Sequence, residues 1–143
     1  MPTVEVTFTP LPAHVRTARL VATAVARRSG VDESLLDEVR LAVGEACSRA
    51  VESHRQHCPA EPIRVTLNGD ADRFEVVVTD AAPAEGAVAD IPVAGAPLVV
   101  DGKVQQLPAG VGLAVIAGLA DDVRIAPAGD GTSISMSWKR RAL

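Results

Sequence analysis

Between Leu35 and Val51 apolar residues return at three- and four-residue steps: Leu35, Val39, Ala42, Val43, Ala46, Ala50 and Val51. At 3.6 residues per turn these positions share one stripe of a helix. Asp32 is placed to cap that helix, which runs to about His54, with Pro59 beyond its end. A stripe this long needs a partner surface, and the rest of the chain supplies one with a period of two. In residues 3–9, Val4, Val6 and Phe8 alternate with polar residues. Ile63, Val65 and Leu67 alternate before Asn68-Gly69, and Phe74, Val76 and Val78 alternate after it, which predicts a hairpin turning at Asn68-Gly69. Val123 and Ile125, then Ile134, Met136 and Trp138, predict a last strand pair turning at Asp130-Gly131. A second helical pattern follows Pro10 and Pro12, from Ala13 to Arg28, and closes at Ser29-Gly30. A short apolar helix is expected from Leu113 to Ala120. The order predicts an α+β two-layer sandwich, a mostly antiparallel sheet covered on one face by helices.

At 143 residues the chain fits one domain, residues 1–143, and 48% hydrophobic residues can fill its core. Phe8, Phe74 and Trp138 are the whole aromatic set, so that core is built of Val, Leu, Ile and Ala. Stacking platforms for bases are missing, and a net charge of −4 lacks the basic footprint of a phosphate-backbone binder. No apolar run approaches the roughly 20 residues of a membrane span, and the N-terminus does not read as a signal peptide. Two cysteines make no disulfide framework, which suits reduced thiols and a cytoplasmic location. From Ala81 to Ala109, Pro83, Gly86, Pro92, Gly95, Pro97, Gly102 and Pro108 break any regular element. A stretch of this kind inside a compact domain reads as a functional lid or a disordered segment.

Three pieces carry the chemistry in order. The long helix holds Leu41-Ala42-Val43-Gly44-Glu45-Ala46-Cys47-Ser48-Arg49-Ala50-Val51; the strand Phe74–Thr79 ends in the carboxylate of Asp80; and Gly110-Val111-Gly112-Leu113 opens a helix after the loose stretch. This set resembles the GHKL family of ATP-binding domains, which includes gyrase, the heat-shock chaperone, histidine kinases and the mismatch-repair ATPase. Within it the chain is most similar to the anti-sigma-factor serine kinases of the RsbW/SpoIIAB type, over nearly its whole length. The resemblance implies a GHKL-type fold, with Glu45 as base or orienter of the attacking group and Asp80 accepting from the adenine amino group. It implies Gly110 and Gly112 along the phosphates and 81–109 as the lid. It also implies homodimers, formed partly through the sheet edge near the first strand, and partner contacts from arginines of the first helix, here Arg16 and Arg19.

Two positions depart from the family pattern. Arg49 stands where the family has an Asn whose oxygen ligates Mg²⁺, and a guanidinium has five donors and no acceptor. It would instead touch phosphate oxygens or pair with Glu45 at i, i+4. Ala82 stands where a Gly gives the ring room. The chain is therefore expected to be a protein-binding regulator, anti-sigma-factor-like, with kinase activity weak or lost and no cofactor required. It would act on a sigma factor or an anti-sigma-factor antagonist by partner switching. ATP or ADP with Mg²⁺ remains the cofactor if the family site is retained, and the alternative is an active ATP-dependent serine kinase of an antagonist. Of the remaining residues, His54, His57 and Cys58 sit close enough to suggest a metal site but offer no fourth ligand, and read as exposed polar residues. Cys47 reads as a small core residue, and Lys139-Arg140-Arg141 as a solubilising tail.

Overall fold

The structure, a computed structural model, describes residues 3–70, 72–82, 99–100, 103–104, 116–129 and 131–139. Its elements run β1 (Val4–Phe8), α1 (Pro12–Arg28), a 3-10 turn (Glu33–Leu35), α2 (Leu36–His57), β2 (Ile63–Gly69), β3 (Arg73–Thr79), β4 (Val99–Val100), β5 (Lys103–Val104), β6 (Asp122–Ala128) and β7 (Gly131–Lys139). Residues 116–119 are helical, inside the expected short helix. Five strands form one sheet in the order β1-β2-β3-β7-β6, every neighbouring pair antiparallel. Both long helices lie on one face of it, as the two-layer expectation requires.

Local chemistry sets the element ends. Pro12 begins α1, where its missing N–H and fixed φ cost nothing. The helix stops at Ser29, and Gly30 turns left-handed at φ 91°. Gly30 N then donates to Arg27 O at 3.2 Å and Val31 N to Ala26 O at 3.1 Å, the pair of bonds that closes a Schellman motif. Val31 is buried against that last turn. Asp32 caps the 3-10 turn, its Oδ1 accepting from both the amide and the hydroxyl of Ser34 at 2.9 Å. The long helix passes the expected end by one turn, to His57.

Alternation fills the space between the layers. Ile63, Val65 and Leu67 of β2, Phe74, Val76 and Val78 of β3, and Ile134, Met136 and Trp138 of β7 are all buried, facing Val39, Val43, Ala46, Cys47 and Ala50 of α2. Ala18, Ala22 and Ala26 let α1 sit close beside α2. Gly44 of α2 serves the same contact, since a Cβ there would lie 2.8 Å from Arg19 Cδ. Phe74 and Trp138 are partners in register, with ring centroids 6.2 Å apart, and the indole N–H donates to Leu119 O at 3.0 Å.

Three expectations shift. Asn68-Gly69 is not the β2–β3 turn: Asn68 pairs with Glu75 and Gly69 with Phe74. The alternation runs on through Gly69, which faces inward opposite the Phe74 ring position. The turn belongs to Asp70, whose Oδ1 accepts from the amides of Asp72 and Arg73 at 2.8 Å. The last hairpin turns one residue early, because Gly129 supplies the positive φ of 61° and Gly131 opens β7. Inside 81–109, expected to hold no regular element, β4 and β5 pair antiparallel, Val99 with Val104 and Val100 with Lys103.

Candidate functional site

The strand β3 ends at Thr79, but its alternation continues one step further. Phe74, Val76 and Val78 face the helices, so Asp80 does too, and it is buried. Two hydrogen bonds to the Thr132 backbone fasten it to β7: Asp80 N donates to Thr132 O at 2.9 Å, and Thr132 N donates to Asp80 Oδ1 at 3.3 Å. β7 comes this close because residue 131 is glycine; a Cβ there would overlap the Asp80 carbonyl.

On α2, Glu45 and Arg49 are one turn apart and both partly buried. The expected Glu45–Arg49 pair is not what forms. Arg49 reaches across to β3 and donates from NH1 to Asp80 Oδ2 at 3.2 Å, with side chains only 10% and 4% exposed. The reason is electrostatic: a carboxylate held between two layers is short of water, so a cation within reach is worth more there than beside Glu45 on the helix. Among the described residues the pair is incomplete, because Arg49 Nε is buried without a hydrogen-bond partner there. Ala82, two residues past Asp80, is buried with its methyl in place. Gly110, Gly112 and most of 81–109 lie outside the described residues. Arg16 is exposed on α1, whereas Arg19 is half-buried over Gly44.

His54 corrects the reading as an exposed polar residue, for it is fully buried. Its Nδ1–H donates to Glu61 O at 2.8 Å, and its Nε2 accepts from Ala81 N–H at 2.8 Å. One imidazole thus ties α2, the α2–β2 loop and the segment after Asp80, and leaves no lone pair for a metal. Partial burial, then the Glu61 and Asp80 carboxylates, raise the Cys58 thiol above its ordinary value. Among the described residues no group of three or more His, Cys, Asp or Glu could hold a metal ion. Cys47 is a core residue, its thiol pushed up to about 12 by burial.

Sequence reasoning missed Thr132 and the burial of His54. Both were marked by phase: His54 continues the stripe Val43, Cys47, Ala50, and Thr132 precedes Ile134, Met136 and Trp138 by one step of two. A cleft of about 990 Å³ opens at this end of the sheet, walled by His57, Cys58, Glu61, Arg64, Thr79 and Gly129. Of Glu45, Arg49, Asp80 and Ala82, Asp80 alone lines it. The cleft is therefore not the Glu45–Arg49 site.

The two-layer fold has known counterparts. The histidine kinase-like ATPase domain family matches residues 8–138. The chain belongs to that family. Among solved structures it is similar to the RsbU and RsbW domains of Rv1364c from Mycobacterium tuberculosis, with 20% identity over 99% of this chain and a TM-score of 0.66. That is a likeness of fold. The chain spans about a third of that longer protein, 34% of its length. No curated protein matches. No helix among the described residues is long and apolar enough to cross a membrane.

At position 49, where the resemblance places a magnesium ligand, the residue present does not fit the ion. Arg49 has no acceptor atom, carries a fixed positive charge, and spends its contact on Asp80.

Proposed function

We propose that the chain is a regulatory protein-binding module of the anti-sigma-factor type, working by partner switching, in which phosphoryl transfer is weak or lost. Membership of the histidine kinase-like ATPase family and the fold likeness to an RsbW domain support the regulator class. The single observation that carries the loss of transfer is the Arg49–Asp80 pair. Phosphoryl transfer relies on a metal to neutralise charge developing on the phosphate oxygens, and a guanidinium cannot hold that metal. The same guanidinium occupies the carboxylate that the family uses for adenine. No metal-bound nucleotide is expected as cofactor.

In this reading a sigma factor or an anti-sigma-factor antagonist is the partner, and neither nucleic acid nor membrane is. The work is done in the cytoplasm by a homodimer. Arg16 and Arg19 on α1 carry the partner contact, Glu45 is an inherited position without a catalytic task, and 81–109 with Gly110 and Gly112 is the remnant of the lid and phosphate loop. The test pairs two assays on the purified chain. Incubation with labelled ATP, Mg²⁺ and candidate antagonist proteins should transfer no phosphate, while the same proteins or a sigma factor should be retained in pull-down. Antagonist phosphorylation that disappears in Glu45→Ala would replace this reading with the active serine kinase.

A further inference from the structure

Two walls of the cleft of about 990 Å³ are joined by a buried side chain that does not itself line it. His57, Cys58, Glu61 and Pro62 form the wall that comes from α2 and its exit loop, and Thr79, Asp80 and Ala81 form the wall that comes from β3. His54 is bonded to both. Its Nδ1–H donates to Glu61 O and its Nε2 accepts from Ala81 N–H, each at 2.8 Å. These bonds need a neutral ring, with a proton on one nitrogen and a lone pair on the other. A proton added at Nε2 takes away that lone pair and sets one N–H against another. Around the ring, α2 brings Cys58, the exposed His57 and Arg49, the exit loop brings Glu61, and β3 brings Asp80. Arg64 of β2 points to the other face of the sheet, and Lys139, the charged residue of β7, lies at the far end of that strand. Asp80 already has its counter-charge in Arg49 at 3.2 Å, and Glu61 is exposed to water. Neither carboxylate bonds to the ring, so a charged imidazole has nothing here to replace the contact with Ala81.

We infer that His54 is a proton-operated brace across this cleft. Neutral, it ties the Glu61 loop to the strand-end segment at Ala81; protonated, it releases Ala81 and lets the two walls part. One proton passes from solvent to Nε2, the Ala81 N–H turns from the ring to water, and no covalent bond changes. The open form holds one proton more than the closed form, so falling pH favours it. The brace is intact above the ordinary imidazole range, near about pH 6.5, and is lost as pH falls through and below that range. The device depends neither on the partner nor on phosphoryl transfer.

The test is nuclear magnetic resonance of the whole chain between pH 8 and pH 5, reading the His54 ring nitrogens and amide hydrogen exchange together. At pH 8 the ring should carry its proton on Nδ1. As pH falls, and after correction for the intrinsic pH dependence of exchange, the Ala81 amide should lose protection by about 10-fold or more, the size expected when one buried hydrogen bond is given up. The ring should titrate over the same range, and the amide shifts of Cys58 and Thr79, one on each wall, should move with it. Val76 and Met136 in the sheet core should keep their protection. His54→Gln, whose side-chain amide accepts and donates without taking up a proton, should make Ala81 protection independent of pH. His54→Leu should lower it at every pH. A ring protonated on Nε2 at pH 8 overturns the inference, as does a ring that takes up no proton before the chain unfolds. So does an Ala81 amide that stays protected while the ring titrates, or one that loses protection with the same pH dependence in His54→Gln. Where the glutamine variant does not fold, the wild-type chain decides alone: coincident titration of ring and amide supports the brace, and separate titration ends it.

Discussion

The two ends of the β3–β7 pair present the same backbone to opposite purposes. At one end Phe74 meets Trp138, both buried, and the one polar atom of the indole is satisfied by Leu119 O. At the other end Asp80 meets Arg49, also largely buried, and a guanidinium nitrogen finds no partner among the described residues. Alternation with a period of two dictates both, because Trp138 and Thr132 on β7 and Phe74 and Asp80 on β3 all point at the helices. The apolar end obeys every packing rule. The polar end breaks one, and such breaks mark the part of a fold shaped by something other than stability.

The largest effect should come from the dry end. Trp138→Ala removes a fully buried indole and is expected to cost toward the upper end of about 3–5 kcal/mol in urea unfolding. Asp80→Ala leaves Arg49 buried without its counter-charge and should cost about 3 kcal/mol. Its side chain keeps a little water access at 10% exposure, which holds the loss at the low end. Removing both charges in Arg49→Met with Asp80→Ala should recover most of that. If the double variant is no better than the single one, the pair is not the liability this comparison makes it. Gly131→Ala forces a methyl into the Asp80 carbonyl and should cost about 1–3 kcal/mol, read in the same unfolding series.

Cys47 gives a pH test of the dry layer. Its folded thiol is raised to about 12 from an ordinary 9.0. Below pH 9 the thiol is neutral in both states and its contribution to stability is intact. As pH rises from 9 toward 12 the unfolded thiol ionises and the folded one does not, so stability should fall across that window. Cys47→Ala should lack that part of the decline when urea midpoints are compared. The smallest change belongs to the surface: breaking the exposed Arg27–Glu33 pair by Glu33→Gln should move stability by less than about 1 kcal/mol, a difference erased by salt.

Much of this molecule could be read before it was seen. The apolar stripe of α2, the strand alternation and the Ser29-Gly30 stop each rest on a local rule, and the two-layer fold follows from their order. What slipped were turns and long-range partners. Asn68-Gly69 has turn chemistry, yet the inward phase of β2 overrode it and moved the turn to Asp70. The β4–β5 pair went unread because its strands are two residues each, set among many glycines and prolines. Arg49 has a local neighbour one turn back, and spacing alone favours Glu45; its actual partner stands 31 positions away, and no helical rule reaches that far. The candidate site was legible in Glu45 and Asp80 as positions, while Thr132 and His54, which hold Asp80 and its neighbour in place, are visible only through phase.

One small absence in α2 reaches into α1. Glycine weakens a helix interior by roughly 1 kcal/mol relative to alanine, and Gly44 sits where alanine would suit α2 better. Adding that methyl would press on Arg19 Cδ, the movable part of a flexible side chain, and not on backbone. Gly44→Ala should therefore strengthen one helix while swinging a cation of the other outward. The path that the Arg19 side chain takes off α1 thus depends on a single hydrogen atom of the neighbouring helix.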